Sequence, residues 1–165
     1  MKVSARAAGV ADLPELLRMY RLLMAEMIPL EPIWPLASGL PEPEAGALEE
    51  LIADPGSSVF VGQIDEIPLG FLVGTRQDLP RQAGGAVMGS VRYIFTEMAA
   101  REVGVGEQMI EAYLTAERAR GVTLFDAHVT PGHRPTKNFF ESKGFAARSI
   151  VMHHDDDTHH GEAHP

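Results

Sequence analysis

The second half of the chain alternates between two kinds of hydrophobic pattern. Short apolar segments typical of strands are followed by segments in which apolar residues recur at helical spacing. This alternation predicts strands at residues 90–98, 123–129 and 145–153, and helices at residues 102–120 and 136–143. Strands that alternate with helices form a sheet whose faces are covered by those helices. The chain is therefore predicted to have an α/β fold with a mixed central sheet.

The first half supplies the remaining strands and helices. It predicts strands at residues 2–7, 58–63 and 68–75, helices at residues 13–27 and 44–53, and a proline-rich loop or broken helix at residues 28–43. The first helix has a recognisable start, because Asp12 can cap it and Pro14 lies in its first turn. The predicted element order is β-α-α-β-β-β-α-β-α-β.

Length and composition are those of one globular domain. The chain has 165 residues, of which 45% are hydrophobic, so it can bury a core without a metal or disulfide. We predict a single domain over residues 1–154 and a disordered tail over residues 155–165, which are rich in Asp and His. The tail contains metal-binding residue types, but a disordered polar tail is the simpler interpretation, and we predict no metal site.

Charge and cysteine content exclude several functions. The net charge of −9 disfavours non-specific nucleic-acid binding, because an acidic surface repels phosphates. The absence of cysteine excludes a disulfide, a thiolate zinc site and a cysteine nucleophile. The sequence contains neither a signal-peptide core nor an apolar run of bilayer length. We therefore predict a soluble cytoplasmic protein without nucleic-acid or membrane partners.

The segment at residues 101–106 is the strongest candidate for a binding site. It reads Arg-Glu-Val-Gly-Val-Gly and joins the predicted strand at residues 90–98 to the helix that follows. Free backbone N–H groups at a helix start bind anions, and glycine lets the backbone approach a phosphate closely. Arg101 can add a cationic donor. A plain strand-to-helix turn would give the same pattern, so the segment alone is a weak signal.

Two other nucleotide-binding motifs fit this segment less well. The dinucleotide fingerprint G-x-G-x-x-G needs a third glycine, but that position is Met109. A P-loop needs Gly-Lys-Ser/Thr at its end, which this segment lacks. A nucleotide-binding protein of another fold is therefore disfavoured.

Two motifs together resemble those of the GNAT (N-acetyltransferase) superfamily. Arg101-x-x-Gly104-x-Gly106 is similar to the family's (Arg/Gln)-x-x-Gly-x-(Gly/Ala), and Asn-Phe-Phe-Glu-Ser-Lys-Gly-Phe at residues 138–145 is similar to its second motif. Their spacing and the element order over residues 3–153 also match. The resemblance implies a GNAT-like sheet with two splayed strands, here residues 90–98 and 123–129, and acetyl-CoA bound in the cleft between them.

The resemblance also implies a set of cofactor contacts. The pantetheine arm is expected to pair with main-chain groups of Thr96 and Met98, as an amide chain can pair with an open strand edge. Asn138 either bonds the CoA arm or is a solvated helix residue. The pyrophosphate is expected on the backbone of Arg101, Glu102, Val103, Gly104, Val105 and Gly106.

The implied reaction is direct attack of a primary amine on the thioester. An ammonium cannot attack, so a base or a water chain must remove its proton. His128 falls where some family members carry a carboxylate base, and an imidazole has an ordinary pKa of about 6.5. The alternative is that His128 only completes a polar wall of the cleft. Glu97, on the other splayed strand, is a weaker candidate.

The chain departs from the family pattern at two positions. Phe140 stands where many members have a Tyr that protonates the leaving thiolate, and His133 stands where an Asn is usual. The leading prediction is still an N-acetyltransferase, an enzyme of the acyltransferase class. Phe140 keeps a second interpretation open, namely a catalytically inactive CoA-binding regulatory domain of the same fold.

The acceptor amine is predicted only by class. In the family the first two helices and their loop select the acceptor, so Trp34 is a candidate substrate contact. Arg92 and Tyr93, on the predicted strand at residues 90–98, are two further candidates. The alternative is that these residues are ordinary core or loop residues. The acidic net charge favours a cationic acceptor, such as an amine of a small molecule, an amino acid or a protein. The sequence leaves a homodimer and a longer acyl donor open.

Overall fold

The computed structural model describes residues 1–159. The strands are β1 (Val3–Ala7), β2 (Ser57–Ile64), β3 (Ile67–Asp78), β4 (Val87–Thr96) and β5 (Leu124–Ala127). The helices are α1 (Leu13–Met27), α2 (Trp34–Ala37), α3 (Glu44–Ala53), α4 (Val105–Ala119) and α5 (Arg134–Ser142). Short 3-10 turns lie at Val10–Asp12, Arg81–Ala83, Met98–Ala100 and Asp156–His159.

The strands form one mixed sheet in the order β1-β2-β3-β4-β5. The first four strands pair antiparallel, and β5 lies parallel to β4 at the edge. The turn between β2 and β3 is made by Asp65 and Glu66, whose φ angles of 46° and 70° suit a two-residue hairpin turn. The helices cover both faces of this sheet, which confirms the predicted α/β class.

Strand β4 pairs with β5 over only part of its length. Residues 88–91 of β4 pair with Leu124–Ala127, and the N–H of His128 makes one more bond, to the carbonyl of Val91 at 3.0 Å. β4 continues to Thr96, whereas β5 ends at Ala127. The sheet therefore opens between its two parallel strands, as the prediction of two splayed strands requires.

A β-bulge lies where the opening begins. Val73 of β3 faces Tyr93, but the next residue, Gly74, faces Val91, so Arg92 is an extra residue on β4. A bulge bends its strand and increases the local twist. This bulge therefore lies where β4 turns away from β5, and it leaves Arg92 exposed.

The two faces of the sheet bury separate apolar clusters. On one face, Tyr20 of α1 packs in the same cluster as Phe71 of β3, together with residues of α3. On the other face, Met109 of α4 and Phe140 of α5 share a cluster with Leu72. Phe71 and Leu72 are consecutive in a strand and so point to opposite faces. Both are fully buried, and each such burial stabilises the fold by about 1.5–3 kcal/mol.

Most helix boundaries agree with the sequence predictions. α1 begins at Leu13 and ends at Met27, and α3 covers Glu44–Ala53, as predicted. α4 begins at Val105 instead of residue 102, because Glu102 and Gly104 have φ angles of 65° and 97° that a right-handed helix cannot contain. α5 begins at Arg134, since Pro135 fits in a first helical turn.

The predicted last strand at residues 145–153 is wrong. These residues form neither helix nor strand, and Ile150, Val151 and Met152 are 75%, 89% and 87% exposed. Apolar and β-branched residues give the segment a strand-like pattern, but a strand also needs a neighbour that takes up its backbone groups. The segment is held beside β5 by a side-chain ion pair between Arg148 and Asp126.

The predicted disordered tail at residues 155–165 lies partly outside the described residues. Asp156–His159 form a 3-10 turn, and residues 160–165 are not described. Within residues 1–159, no helix is both long and apolar enough to cross a membrane.

Candidate functional site

The opening between β4 and β5 exposes main-chain groups of β4. The N–H of Glu97 bonds to the carbonyl of Leu69 on β3 at 2.8 Å. Hydrogen-bonding directions alternate along a strand, so the N–H and carbonyl of Thr96 point the opposite way, into the cleft. There the Thr96 carbonyl accepts a hydrogen bond from Nε of Arg101 at 2.9 Å. An open edge of this kind can pair with an extended amide ligand.

Free N–H groups lie at the start of α4, next to this edge. The first intrahelical bond runs from the N–H of Gln108 to the carbonyl of Gly104 at 3.0 Å. The N–H groups of Val105, Gly106 and Glu107 therefore have no acceptor inside the helix. They carry the partial positive charge of a helix N-terminus, which favours an anion.

The two glycines of the motif have different roles. Gly104 has a φ of 97°, and a Cβ at this position would meet no atom within 4 Å, so the space in front of the helix is open. A Cβ at Gly106 would lie 3.3 Å from the ring of Phe139 on α5. Gly104 thus provides the left-handed turn, whereas Gly106 provides the close approach of α4 and α5.

The predicted cofactor residues are only partly brought together. Thr96 lies beside the start of α4, since a Cβ at Gly106 would lie 3.9 Å from its Oγ1. Met98 begins a 3-10 turn in which its carbonyl accepts a hydrogen bond from the N–H of Arg101 at 3.3 Å, and its side chain is 79% exposed. The strand was predicted to reach residue 98, but it ends at Thr96. Asn138 is exposed on α5.

Arg101 is already engaged by a carboxylate. Its Nη2 donates to Oε2 of Glu26 at 2.6 Å, and Oε1 of Glu26 lies 2.8 Å from Nε2 of His133. Burial alone would raise the pKa of Glu26, but the hydrogen bonds from Arg101 and His133 lower it, and the net pKa shift is downward. Glu26 is therefore an anion at neutral pH.

Sequence reasoning did not identify Glu26. It lies 75 residues before Arg101 and 107 residues before His133, so no local motif joins the three. Glu26 also lies in an amphipathic helix where a charged residue is ordinary. The one available signal was the substitution of His133 for the usual Asn, because an imidazole beside a cleft needs a partner.

His128 lies where the two strands diverge. Its neighbours Ala127 and Val129 pack into the α4 cluster, so its side chain faces the opposite side of the sheet, on which α1 lies. The ring is solvent-accessible, yet partial desolvation lowers the pKa of His128 and the Arg92 guanidinium lowers it further, with Asp126 acting in the opposite direction. The imidazole is therefore neutral at pH 7 and can accept a proton.

The predicted substrate contacts Trp34 and Tyr93 lie together, but in the core. Their ring centroids are 5.9 Å apart, and the two residues are 5% and 7% exposed. The Tyr93 hydroxyl donates to the carbonyl of Ser38 at 2.6 Å, and burial raises the pKa of Tyr93 to about 12. The two rings are therefore core residues, and Arg92 is the exposed member of the predicted set.

Two further predicted groups have partners of their own. Glu97 forms an ion pair with Arg18 of α1 at 2.5 Å, so its carboxylate is already engaged by a cation. Phe140 is 3% exposed and packs between Phe139 and Phe145, with centroid distances of 5.3 and 5.2 Å. No phenolic donor is present at that position.

A mixed sheet that opens between two parallel strands, in front of a free helix N-terminus, is the architecture of an acetyltransferase of the GNAT type. The model of the Acetyltransferase (GNAT) family matches residues 16–145, which is more than half of the 165 residues. The chain belongs to the GNAT acetyltransferase family. A comparison with curated proteins found no match.

Solved structures share the fold at low sequence identity. The chain is similar to AAC(6')-Iy in complex with a CoA-S-monomethyl-acetylneamine bisubstrate analogue, with a TM-score of 0.74, 17% identity, and coverage of 94% of this chain and 99% of that one. It is also similar to a ribosomal-protein-alanine N-acetyltransferase from Brucella melitensis biovar Abortus 2308 (TM-score 0.69, 17% identity, coverage 93% and 100%). A third is the aminoglycoside acetyltransferase meta-AAC0020 from an uncultured soil metagenomic sample (TM-score 0.70, 16% identity, coverage 93% and 94%).

Proposed function

We propose that this protein is an acetyl-CoA-dependent N-acetyltransferase that transfers an acetyl group to a primary amine by direct attack on the thioester. The observation that carries this proposal is that the free N–H groups at residues 105–107 lie beside the open β4 edge, where a Cβ at Gly106 would lie 3.9 Å from Oγ1 of Thr96. An extended amide chain that ends in a diphosphate needs both. Two structural neighbours are named for aminoglycoside and ribosomal-protein-alanine acetylation, which supports an amine as the acceptor.

The residues present fit acetyl-CoA. The N–H groups of Val105, Gly106 and Glu107 would hold the diphosphate, and Gly104 leaves that space open. The main chain of Thr96 would hold the pantetheine amides, and Asn138 is accessible to the arm. Acetyl-CoA supplies the activated acyl group as a thioester. The protein supplies its orientation.

His128 is the proposed proton acceptor. It lies at the branch point of the two strands and is neutral at pH 7, so it can take a proton from the substrate ammonium directly or through one water. The amine then attacks the thioester carbonyl, the C–N bond forms, and the C–S bond breaks. Glu97 is the less suitable base because Arg18 already engages its carboxylate.

The leaving thiolate must be protonated without a phenol at position 140. Phe140 is buried among aromatic rings and has no proton to donate. After the C–N bond has formed, the attacking nitrogen still carries a surplus proton, and this proton passes to the thiolate directly or through solvent. The reaction then balances, because the substrate ammonium loses one proton to His128, which returns it to solvent, and a second to the thiolate, so that an amide, a thiol and one free proton are formed.

The acceptor is proposed to be a cationic amine with an apolar body. The segment after α1 exposes Ile28 and Leu30, each 41% accessible, and α2 exposes Leu36, which is 88% accessible. Leu30 lies 3.8 Å from where a Cβ of Gly132 would be, so this segment borders the loop that follows β5. The net charge of −9 attracts a cation to this surface.

A second candidate function is CoA binding without turnover. The observation that favours it is Phe140, since the usual donor to the thiolate is missing while the free N–H groups at the start of α4, proposed to bind the diphosphate, are present. In that case the protein would act as a CoA-responsive regulatory domain.

Calorimetric titration with acetyl-CoA and a thiol-release assay separate these functions. We expect acetyl-CoA to bind and to release thiol with at least one member of a panel of primary amines that have apolar bodies. Binding without thiol release across small-molecule, amino-acid and peptide amines would support the regulatory domain. Absence of binding would contradict both functions.

A further inference from the structure

The side chains of Arg101, Glu26 and His133 form a hydrogen-bonded link beside the open edge of β4. Arg101 donates to the Thr96 carbonyl at 2.9 Å and to Glu26 at 2.6 Å, and Glu26 lies 2.8 Å from His133. The link therefore runs from β4 to the loop before α5, and α1 supplies its middle member. The hydroxyl of Thr130 donates a hydrogen bond to Oε2 of Glu31 at 3.2 Å, which joins the same loop to the segment after α1.

This link uses groups that the cofactor also needs. The Thr96 carbonyl is the main-chain acceptor proposed for the pantetheine arm, and it is occupied by Arg101. Arg101 is also the cation of the turn that precedes α4, yet its charge is neutralised by Glu26. A carboxylate and a diphosphate are both anions, so they compete for one guanidinium and repel each other across it.

We propose that Glu26 gates the cofactor cleft. In the free protein Glu26 holds Arg101 across the opening, and acetyl-CoA binding transfers Arg101 from Glu26 to the diphosphate. This inference rests on the proposed function and adds a step to it. The side chains of Arg101 and Glu26 are 32% and 26% exposed, so the pair can open without creating a deeply buried charge.

Release of Arg101 has a consequence for the acceptor side. Glu26 keeps its hydrogen bond with His133 but loses its cationic partner Arg101, so the negative charge of its carboxylate is no longer compensated by Arg101. A cationic amine would then meet a more negative surface after the cofactor has bound. The gate therefore favours an order in which acetyl-CoA binds before the amine.

Two roles of Glu26, a gate or a rigid brace, predict opposite changes in CoA affinity for the same substitution. If Glu26 competes with the diphosphate, removing its charge strengthens CoA binding. If Glu26 instead holds Arg101 in the position that the diphosphate requires, removing its charge weakens CoA binding. Glu26→Gln keeps the size and a carbonyl acceptor for Arg101, and its NH2 group can face the ring nitrogen of His133, so the main change is the loss of the charge.

The test is calorimetric titration of CoA into the wild type, Glu26→Gln, Arg101→Gln and the double variant. We expect Glu26→Gln to bind CoA about 3- to 10-fold more tightly, the worth of a partly exposed charge-assisted hydrogen bond. Arg101→Gln should bind more weakly, and Glu26→Gln should add nothing in that background. Glu49→Gln on α3, an exposed site with the same charge change, is the control and should stay within about twofold of wild type.

Melting curves give a readout that does not depend on turnover. Glu26→Gln should melt lower than wild type without ligand and gain more from saturating CoA. If Glu26→Gln is poorly folded, Glu26→Asp, which keeps the charge but shortens the reach to Arg101, should still bind CoA more tightly than wild type, because it holds Arg101 less firmly. Equal or weaker CoA binding by the folded variant would overturn the gate and leave the proposed function standing. Absence of CoA binding by the wild type would overturn both.

Discussion

An arginine–glutamate ion pair lies near each end of β4, in contrasting surroundings. Arg76 of β3 faces Gly89 at the end that pairs with β5, and Arg101 bonds to Thr96 at the open end. At the paired end, Nη1 of Arg76 lies 2.9 Å from both carboxylate oxygens of Glu117, and Ser58 donates to the same carboxylate at 2.6 Å. Glu117 is 0% exposed and Arg76 is 17% exposed. At the open end, Arg101 and Glu26 are 32% and 26% exposed.

Burial decides what each pair can do. A fully buried carboxylate has no solvent to replace a lost partner, so the pair at the paired end must stay closed. A partly exposed pair such as Arg101 and Glu26 can exchange one partner for water or for a ligand at small cost in free energy. The same two residue types are therefore structural at one end of the strands and exchangeable at the other.

The largest expected effect is on stability at the paired end. Arg76→Met leaves the Glu117 charge buried without its cation and should lower the free energy of unfolding by about 3–5 kcal/mol. Denaturant unfolding of the variant beside the wild type measures this loss. Arg21→Met, at a side chain that is 63% exposed, is the control and should change stability by less than about 1 kcal/mol.

At the branch point, the expected effect is on rate and not on stability. His128→Ala should lower kcat/KM by about 10²- to 10⁴-fold and leave CoA affinity nearly unchanged. Because the pKa of His128 is lowered, wild-type kcat/KM should fall with pH only below the ordinary imidazole value of about 6.5, and the variant should lack this limb. His153→Ala, an exposed histidine in the last segment, is the control. A loss of threefold or less, about 0.65 kcal/mol, with an unaltered pH profile would show that His128 is structural.

The Phe140→Tyr substitution tests whether position 140 belongs to the buried core or to the open cleft. Phe140→Tyr should destabilise the protein by about 1–3 kcal/mol, because the hydroxyl would enter an aromatic cluster of Phe139 and Phe145. CoA affinity should be unchanged. A thermal melt beside a thiol-release assay checks this. A variant of wild-type stability with raised turnover would instead place position 140 in the open cleft, beside the leaving thiolate.

The smallest effect is expected for the exchangeable pair. Without ligand, Glu26→Gln should lose at most about 1 kcal/mol of stability, because its carboxylate is partly solvated. The same chemical change at Glu117 should cost several times more, since that carboxylate is 0% exposed. Equal losses in the two variants, measured by denaturant unfolding, would remove the distinction between the two ends.

The features that could be predicted from sequence depend on neighbours in the chain. The start of α1 follows from Asp12 and Pro14, and the turn that precedes α4 follows from Gly104 and Gly106. Each is a local rule about capping or backbone freedom. The splayed strands came from the family resemblance, because no local pattern indicates where two strands diverge.

The features that could not be predicted depend on distant contacts. The bulge at Arg92 results from the register between β3 and β4, which a sequence pattern does not fix. The prediction of a strand at residues 145–153 was wrong because a strand pattern carries no information about a pairing partner. Glu26 was missed because its partners lie 75 and 107 residues away.

The measurement that tests the account most directly is the CoA affinity of Gly104→Glu beside that of Gly121→Glu. Both glycines have positive φ (97° and 88°), neither has an atom within 4 Å of an added Cβ, and they flank opposite ends of α4. The two variants therefore carry the same backbone strain and the same charge change. We expect Gly104→Glu to abolish CoA binding, because its carboxylate would occupy the place of the diphosphate, and Gly121→Glu to bind CoA like wild type. Wild-type affinity in Gly104→Glu, or equal losses in both variants, would contradict the assignment of the diphosphate to the start of α4.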